Sequence, residues 1–183
     1  MHHKLIRIKE KEERVFKYLE EERFCFKREL YVSFNSLADV DSKFSKIDGV
    51  FDYPARNLSI MLEVDERQHE SGVANSVKRG NAVARDSKRM NNVTRVIRAG
   101  GNEAHLLWVR FNPDAYRVDD VLKRTPWANR AAALTHLINT FEPKPGQTMS
   151  IRYMYYNTLN GMPVICSDVE YDETFLPIVS CVF

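Results

Sequence analysis

The segment from residue 58 to residue 69 constrains the fold of this chain more than any other. Its first half places large apolar residues at alternate positions, and alternate side chains of an extended strand share a face. One face of the predicted strand points toward a core and carries Leu58, Ile60, Leu62 and Val64. Glu63 and Asp65 would share the opposite face, and His69 follows shortly after them. The segment therefore predicts a strand that brings two carboxylates to one place.

Two neighbouring carboxylates repel each other and resist burial unless a cation joins them. A second short strand is predicted at residues 47–51, where Ile-Asp-Gly-Val-Phe contributes Asp48. An acid from one strand and a pair of acids from the next supply the oxygen ligands that hold hard divalent cations for phosphodiester hydrolysis. The alternative interpretation is an acidic strand face that is merely solvated.

The size and composition of the chain are those of one globular domain. Its 183 residues are 44% hydrophobic and 28% charged, which provides enough apolar material for a sizeable core. No apolar run approaches the ~20 residues of a membrane span, and no signal-peptide pattern opens the sequence. We therefore expect an intracellular protein without a membrane segment. Three scattered cysteines (Cys25, Cys166 and Cys181) favour unpaired thiols in a reducing compartment.

Positive charge is concentrated in residues 71–100, although the whole chain carries a net charge of only +2. This stretch contains seven basic residues and a single acid, Asp86. The seven are Lys78, Arg79, Arg85, Lys88, Arg89, Arg95 and Arg98. Because the cluster directly follows His69, it favours a polyanion whose scissile phosphate must reach the acidic site. A solvated helix face is the alternative.

The order of predicted elements is that of an α/β domain. An amphipathic helix over residues 9–22 has the apolar face Val15, Phe16 and Leu19. Glu12 lies on that same face, whereas Glu13 is rotated by about 100° away from it. The helix therefore predicts one buried acid beside one exposed acid.

Further elements follow along the chain. A strand is predicted at 28–34 and an irregular loop at 35–46, before the two strands described above. Residues 71–80 are predicted to form a flexible, glycine-containing insertion, followed by a helix over 81–99 and a strand over 104–111. The strand–helix–strand order favours parallel pairing of the two strands. The apolar stripe of the helix is Met90, Val93 and Ile97; Asp86 shares that face and Arg89 lies near its edge.

Residues 119–183 are predicted to extend a core formed by residues 1–118, and to pack on the same domain. Thr125-Pro126 predicts a helix start, with threonine as the cap and proline at the first helical position. Segments 149–156 and 162–167 flank Asn160-Gly161, which predicts a β-hairpin. If the protein forms a homodimer, the segment 149–167 is our candidate for its interface.

The acidic and basic residues together resemble one branch of the PD-(D/E)xK nucleases, the branch of very-short-patch-repair endonucleases and EDxHD homing endonucleases. The likeness is carried by Asp48, by Leu-Glu-Val-Asp-Glu-Arg-Gln-His at residues 62–69, and by Asp86-x-x-Arg89. The chain is more similar still to nuclease-like proteins of large DNA viruses. Their pattern resembles Glu-x-Asp-Glu-x-Gln-His followed by Arg-Phe-Asn-Pro-Asp-x-x-Tyr. The second piece is present here at residues 110–116 with one residue fewer.

The resemblance covers residues 9–118 and implies a restriction-endonuclease-like core, a mixed sheet flanked by helices, that cuts DNA with Mg²⁺. Mn²⁺ would substitute for Mg²⁺. Asp48 and Glu63 would be metal ligands, and Asp65 would complete or support the metal site. His69 would match the family histidine that acts as a base or steadies the phosphate.

The same resemblance gives roles to further charged residues. Glu12 would match the acid on the first helix of the family, and Asp86 would match the acid on the helix after the motif. Arg89 would clamp the phosphate. The remaining residues assigned to DNA contact are Lys78, Arg79, Arg85 and Lys88.

The motif lacks the lysine that usually occupies its third position, and Glu66 and Arg67 follow there instead. The sequence therefore favours a mechanism that uses a histidine over one that uses a lysine.

Two other functions are compatible with the sequence. A catalytically silent nuclease fold would serve as a DNA-binding or assembly module. A zinc hydrolase would use His69 with Asp65 and Glu63, but the sequence has no paired His or Cys motif.

Four features outside the main motif have competing interpretations. Arg110 and Asp114 would form an ion pair that fixes a strand end. Asn112 would meet DNA from a loop. The tyrosines of the C-terminal region would stack on nucleobases or, as we prefer, pack in the protein; they are Tyr153, Tyr155 and Tyr156. His105 would lie in the core or at its edge.

Overall fold

A computed structural model describes residues 9–37, 42–66, 76–159, 162–163 and 178–182. Side chains are described in these ranges except at 76–87, 159, 162–163 and 178–182. The helices are α1 (Glu10–Glu21), α2 (Ser76–Ala99) and α3 (Trp127–Thr140). The main sheet contains β1 (Lys27–Ser33), β2 (Phe44–Tyr53), β3 (Leu58–Val64), β4 (His105–Phe111), β7 (Met149–Met154) and β10 (Ile178–Val182). A second sheet contains β5 (Tyr116–Val118), β6 (Val121–Lys123), β8 (Thr158–Leu159) and β9 (Met162–Pro163).

The main sheet is mixed, with the strand order β1-β2-β3-β4-β7-β10. The first three strands pair antiparallel, whereas β3, β4, β7 and β10 pair parallel to one another. The parallel pairing of β3 with β4 on either side of α2 confirms what the strand–helix–strand order predicts. The α/β class, with a mixed sheet and flanking helices, is also confirmed. β7 and β10 belong to the C-terminal segment, and they lie in the same sheet as β1 to β4.

An apolar core covers each face of the sheet. The first core joins α1 and α3 to the face of β3 that the alternating pattern predicts, Leu58, Ile60, Leu62 and Val64. The second core joins α2, through Met90 and Val93, to Met61 and Trp108 on the opposite face. Each fully buried side chain of this size contributes ~1.5–3 kcal/mol. Because β3 is buried on both faces, the Glu63 side chain lies in the packed layer between the sheet and α2.

The alternation of β1 and β2 is interrupted at Glu29 and Asp48. The ladder between the strands skips these two residues, although the pairs on either side of them are made. Glu29 has a positive φ of 52°. Ile47 packs in the α2 core, whereas a Cβ on Gly49 would meet Phe16 of α1, so two positions of the same parity lie on opposite faces. Asp48 therefore lies at the point where the strand changes face.

The helices follow the predicted periodicity, but α2 begins earlier than predicted. Residues 76–80, assigned to a flexible insertion, form the beginning of this 24-residue helix. The prediction placed Gly80 outside the helix. One interior glycine costs only ~1 kcal/mol relative to alanine, and a long helix accommodates it. Residues 71–75 lie outside the described ranges. None of the helices in those ranges is both long and apolar enough to cross a membrane.

One prediction for the C-terminal segment is wrong, and the predicted hairpin is confirmed only in part. Thr125 does not cap α3: Pro126 occupies the cap position with an extended ψ of 145°, and the Thr125 hydroxyl lies 2.9 Å from the Tyr116 hydroxyl instead. The hairpin around residues 160–161 is formed by β8 and β9 and does not include β7. The reason is that β7 pairs with β4 and β10 inside the main sheet. The backbone of β7 is thus already paired, and homodimerisation stays a prediction.

Candidate functional site

Glu63 lies near the carboxyl end of β3 and faces α2. It is buried, and its Oε1 accepts a hydrogen bond of 2.8 Å from Nη1 of Arg89 on α2. The same guanidinium nitrogen donates to the Lys46 carbonyl at 3.1 Å and contacts the Ser45 hydroxyl at 3.3 Å, so Arg89 is held by β2 as well. Burial, together with the charge of Asp48, raises the pKa of Glu63 to about 7 despite the favourable charges of Arg89 and Arg110. Glu63 is thus poised to exchange a proton near neutral pH.

Asp48 is the second buried acid of the site, and it comes from the position where β2 changes face. Its Oδ2 accepts a hydrogen bond of 2.9 Å from the backbone N–H of Val64. This bond substitutes for the ladder pair that is missing at Asp48. The other oxygen, Oδ1, lies 3.7 Å from Nζ of Lys9. The irregularity in the strand therefore directs a carboxylate to the end of β3.

Glu12 is the third buried acid, and it comes from the face of α1 on which the helical periodicity places it. Its carboxylate accepts a hydrogen bond from Nζ of Lys9 and lies 3.7 Å from Nη2 of Arg28. Its backbone N–H donates to Oε1 of Glu66, just beyond β3, at 2.5 Å. Glu13, one residue further on, is exposed and pairs with Arg28, as the rotation of the helix predicts. Glu12 thus ties the start of α1 to the end of β3.

Lys9 is a functional candidate that the sequence analysis did not identify. Burial lowers its pKa, but the hydrogen bond to Glu12 and the charges of Asp48, Glu12 and Glu63 outweigh this effect and raise it. The ammonium group therefore lies in the combined field of all three buried acids. The only signal in the sequence is the spacing of three residues between Lys9 and Glu12, which brings two side chains together on a helix.

Asp65 is held by the protein on both of its oxygens. Nε of Arg110 donates to Oδ2 at 2.7 Å and Nη2 donates to Oδ1 at 2.8 Å, a bidentate pair of the kind that fixes both position and orientation. The Tyr156 hydroxyl donates a further hydrogen bond to Oδ2. Burial and the nearby Asp65 charge raise the pKa of Tyr156 well above its usual range, so the phenol stays a donor. Arg110 pairs directly with Glu63 in the β3–β4 ladder, so Asp65 positions a cation beside the site.

The segment 110–116 makes polar contacts with several elements of the fold. Asn112 is buried and donates through Nδ2 to the Tyr155 carbonyl at 2.7 Å, while Asp114 pairs with Lys11 of α1. The guanidinium of Arg130 on α3 donates to the carbonyls of residues 112 and 114 at 2.8 and 2.7 Å. The expectation that Asn112 meets DNA is wrong, because its side chain is enclosed. The described ion-pair partners of Arg110 and Asp114 are Asp65 and Lys11, not each other.

The C-terminal tyrosines and His105 pack in the protein, as we prefer from their context. All three tyrosines are buried, and the rings of Tyr153 and Tyr156 meet edge to face at 5.1 Å. His105 is buried too; its Nδ1 lies 2.9 Å from the Gln147 carbonyl and its Nε2 lies 3.0 Å from the Ser150 hydroxyl. These residues are therefore not available as a stacking surface or as an exposed base.

Several predicted site residues lie outside what the structure describes. His69 follows the last described residue after β3, so its role stays a prediction. The helix α2 carries Asp86 and the basic residues Lys78, Arg79 and Arg85, whose side chains are not described. Lys88 is exposed on the same helix, whereas Arg89 is partly buried against Glu63. The structure therefore brings together Glu12, Asp48 and Glu63, and it places Asp65 beside them.

No group of three or more His, Cys, Asp or Glu side chains within the described ranges is arranged closely enough to hold a metal ion. In these ranges the acids pair with basic side chains of the protein. Arg89 holds Glu63, Arg110 holds Asp65, and Lys9 lies against Glu12 and Asp48. Each buried carboxylate thus has a cationic partner from the protein itself.

Comparisons with known proteins give no relative on which to base an assignment. Neither a protein-family model, nor a curated protein, nor a solved structure matches this chain.

Proposed function

We propose that the protein is a metal-dependent DNA endonuclease that hydrolyses phosphodiester bonds with Mg²⁺ at the site formed by Glu12, Asp48 and Glu63. The observation that carries this proposal is that three buried carboxylates, from α1, β2 and β3, all act on one ammonium group, that of Lys9. Buried acids that repel one another destabilise a fold, so a packed layer that contains three of them calls for a function. The site lies at the end of a mixed sheet flanked by helices, the arrangement that the resemblance implies.

The donor chemistry of the site fits Mg²⁺. Carboxylate oxygens are the ligands this ion prefers, and two or three suffice because it keeps several waters. The Lys9 ammonium lies against Glu12 and Asp48, and the charge of Glu63 also acts on it. The three acids therefore stabilise a positive charge at this position. Asp48 and Glu63 would hold the ion, with Glu12 beside them. Bound there, Mg²⁺ would supply Lewis-acid activation of the scissile phosphate.

The side chains around the acids have separate tasks in this proposal. Arg89 and Arg110 lie on either side of Glu63 and would stabilise negative charge that develops on the phosphate. In this proposal Asp65 supports the site by fixing Arg110, which it holds through both of its oxygens. His69 remains the proposed base or phosphate contact from the segment that follows β3.

A second candidate is a catalytically silent nuclease fold that serves as a DNA-binding or assembly module. The specific observation in its favour is that Glu63 and Asp65 are each neutralised by an arginine of the protein. A site of this kind would keep its structure without a metal. It would still present the basic residues of α2 to DNA.

A plasmid-nicking assay separates the two candidates. Wild-type protein would be incubated with supercoiled DNA in Mg²⁺, Mn²⁺ or EDTA, beside Glu63→Gln and a matched control, Glu13→Gln, which alters an exposed acid of α1. We expect nicking that requires the metal, is lost in Glu63→Gln and survives in Glu13→Gln. DNA retardation in a gel without cleavage under either metal would favour the silent module.

A further inference from the structure

Two aromatic side chains are exposed side by side on the strands that lead to the candidate site. Tyr31 of β1 is 59% exposed and Phe44 of β2 is 55% exposed. Their ring centroids are 5.6 Å apart with the planes inclined by 53°. Large exposed aromatics are unusual on a soluble surface, and a contacting pair forms a patch that indicates recognition.

The surroundings of this aromatic pair are basic. Lys43 precedes Phe44 and is exposed, and Lys46 lies directly across the ladder from Tyr31. Glu29, an acid of β1, is bound by Nζ of Lys46 at 2.7 Å. Positive charge that flanks an apolar, π-rich surface suits a partner with a negative backbone and flat rings.

The aromatic pair is continuous with the candidate site along β2. Phe44, Lys46 and Asp48 follow one another along β2, and the change of face at Asp48 directs its carboxylate to the end of β3. The Lys46 backbone carbonyl accepts the hydrogen bond from Arg89, which also holds Glu63. The Lys46 ammonium interacts electrostatically with Lys9 and Asp48. A chain that lies on the aromatic pair would therefore extend toward the acids.

We propose that Tyr31 and Phe44 form a stacking platform for unpaired nucleobases of a DNA strand whose phosphate lies at the candidate site. This inference rests on the proposed function, because that function supplies the DNA. Stacking on aromatic side chains tolerates any base, since every base has a π face. The platform therefore confers a preference for single-stranded or locally unpaired DNA over a continuous duplex.

Binding measured without cleavage tests the platform. Fluorescence anisotropy in EDTA would compare a labelled single-stranded 20-mer with its duplex for wild type and for the double variant Tyr31→Ala/Phe44→Ala. The matched control is Val121→Ala/Leu122→Ala, which removes two exposed apolar side chains (57% and 49%) from β6. We expect the platform variant to lose about tenfold or more in affinity for the single strand, and less for the duplex. The control variant should bind both as wild type does.

The outcomes also separate the platform from the proposed function. Equal loss of affinity in the platform and control variants, or no loss in either, would overturn the platform while metal-dependent nicking of plasmid could still hold. Light scattering after gel filtration tests the competing occupant, a second copy of this chain. If wild type is a dimer and only Tyr31→Ala/Phe44→Ala is a monomer, the surface is an interface between copies and the nucleobase proposal is overturned. Failure of nicking with the single-strand preference intact would leave the platform supported on a silent module.

Discussion

Glu63 and Arg89 form an ion pair of 2.8 Å that links β3 to α2, yet the pKa of Glu63 is raised to about 7. Desolvation of the carboxylate therefore outweighs the attraction of its partner. A buried pair in which one member is incompletely compensated is a weak source of stability. It is a suitable place for a group that must bind an additional cation.

The stability of the metal-free protein should fall as the pH rises from about 4.5 to about 7. In this window the folded state keeps a proton on Glu63 that the unfolded chain has released, so the slope of unfolding free energy with pH is negative. The loss would be at most about 3 kcal/mol from this group. Urea unfolding in EDTA at several pH values should show that the difference between wild type and Glu63→Gln changes across this window. A difference that is independent of pH would contradict the raised pKa.

Replacing Lys9 should strengthen the binding of Mg²⁺. The ammonium lies against Glu12 and Asp48, so it repels an incoming cation and competes for the same oxygens. We expect Lys9→Met to lower the Kd for Mg²⁺ several-fold in a calorimetric titration. Lys11→Met is the matched control, because Lys11 also forms an ion pair and its side chain is 48% exposed, against 51% for Lys9. Weaker binding in Lys9→Met would show that the lysine supports the metal site instead.

The pair between Asp65 and Arg110 should be important for stability. Arg110 is fully enclosed, and removing its bidentate carboxylate partner would leave a buried charge with less compensation. We expect Asp65→Asn to lower the free energy of unfolding by about 3 kcal/mol. Asp52→Asn, at an exposed acid on β2, should cost much less. A small effect of Asp65→Asn would indicate that Asp65 is free to bind a metal.

Gly49 should not accept a side chain. A Cβ at this position would lie 2.6 Å from Cε1 of Phe16 and 3.0 Å from its Cζ, so the Phe16 ring or helix α1 would have to shift. We expect Gly49→Ala to destabilise the protein by about 1–3 kcal/mol. In a double-mutant cycle, Phe16→Leu should reduce that cost, because it removes the ring edge. Additive effects would place α1 further from β2 than the structure does.

The sequence predicts those parts of the fold that follow from periodicity. The buried face of β3, the burial of Glu12 beside an exposed Glu13, and the parallel pairing across α2 all depend on repeating patterns of apolar residues. The same patterns do not predict the change of face at Asp48, because it depends on an irregular backbone at two facing residues. They also do not predict the β5–β6 hairpin, whose turn residues Asp119 and Asp120 adopt positive φ values of 47° and 65°.

The partners of the site acids could not be predicted from spacing. Arg110 is 45 residues from Asp65, and Tyr156 is 91 residues away. Only the pairing of β3, β4 and β7 brings these side chains together. Lys9 is close in sequence to Glu12, but it precedes the first residue of α1 and belongs to no motif. The sequence therefore indicates which acids are unusual, and the sheet determines which cations meet them.

A calorimetric titration of Mg²⁺ into wild type, Asp48→Asn and Asp52→Asn tests whether the three buried acids bind a metal ion. Both variants alter an aspartate of β2, four residues apart, and only the first belongs to the candidate site. We expect a saturable heat of binding in wild type and Asp52→Asn, and its loss in Asp48→Asn. Identical titrations in all three proteins would contradict a metal site at Glu12, Asp48 and Glu63.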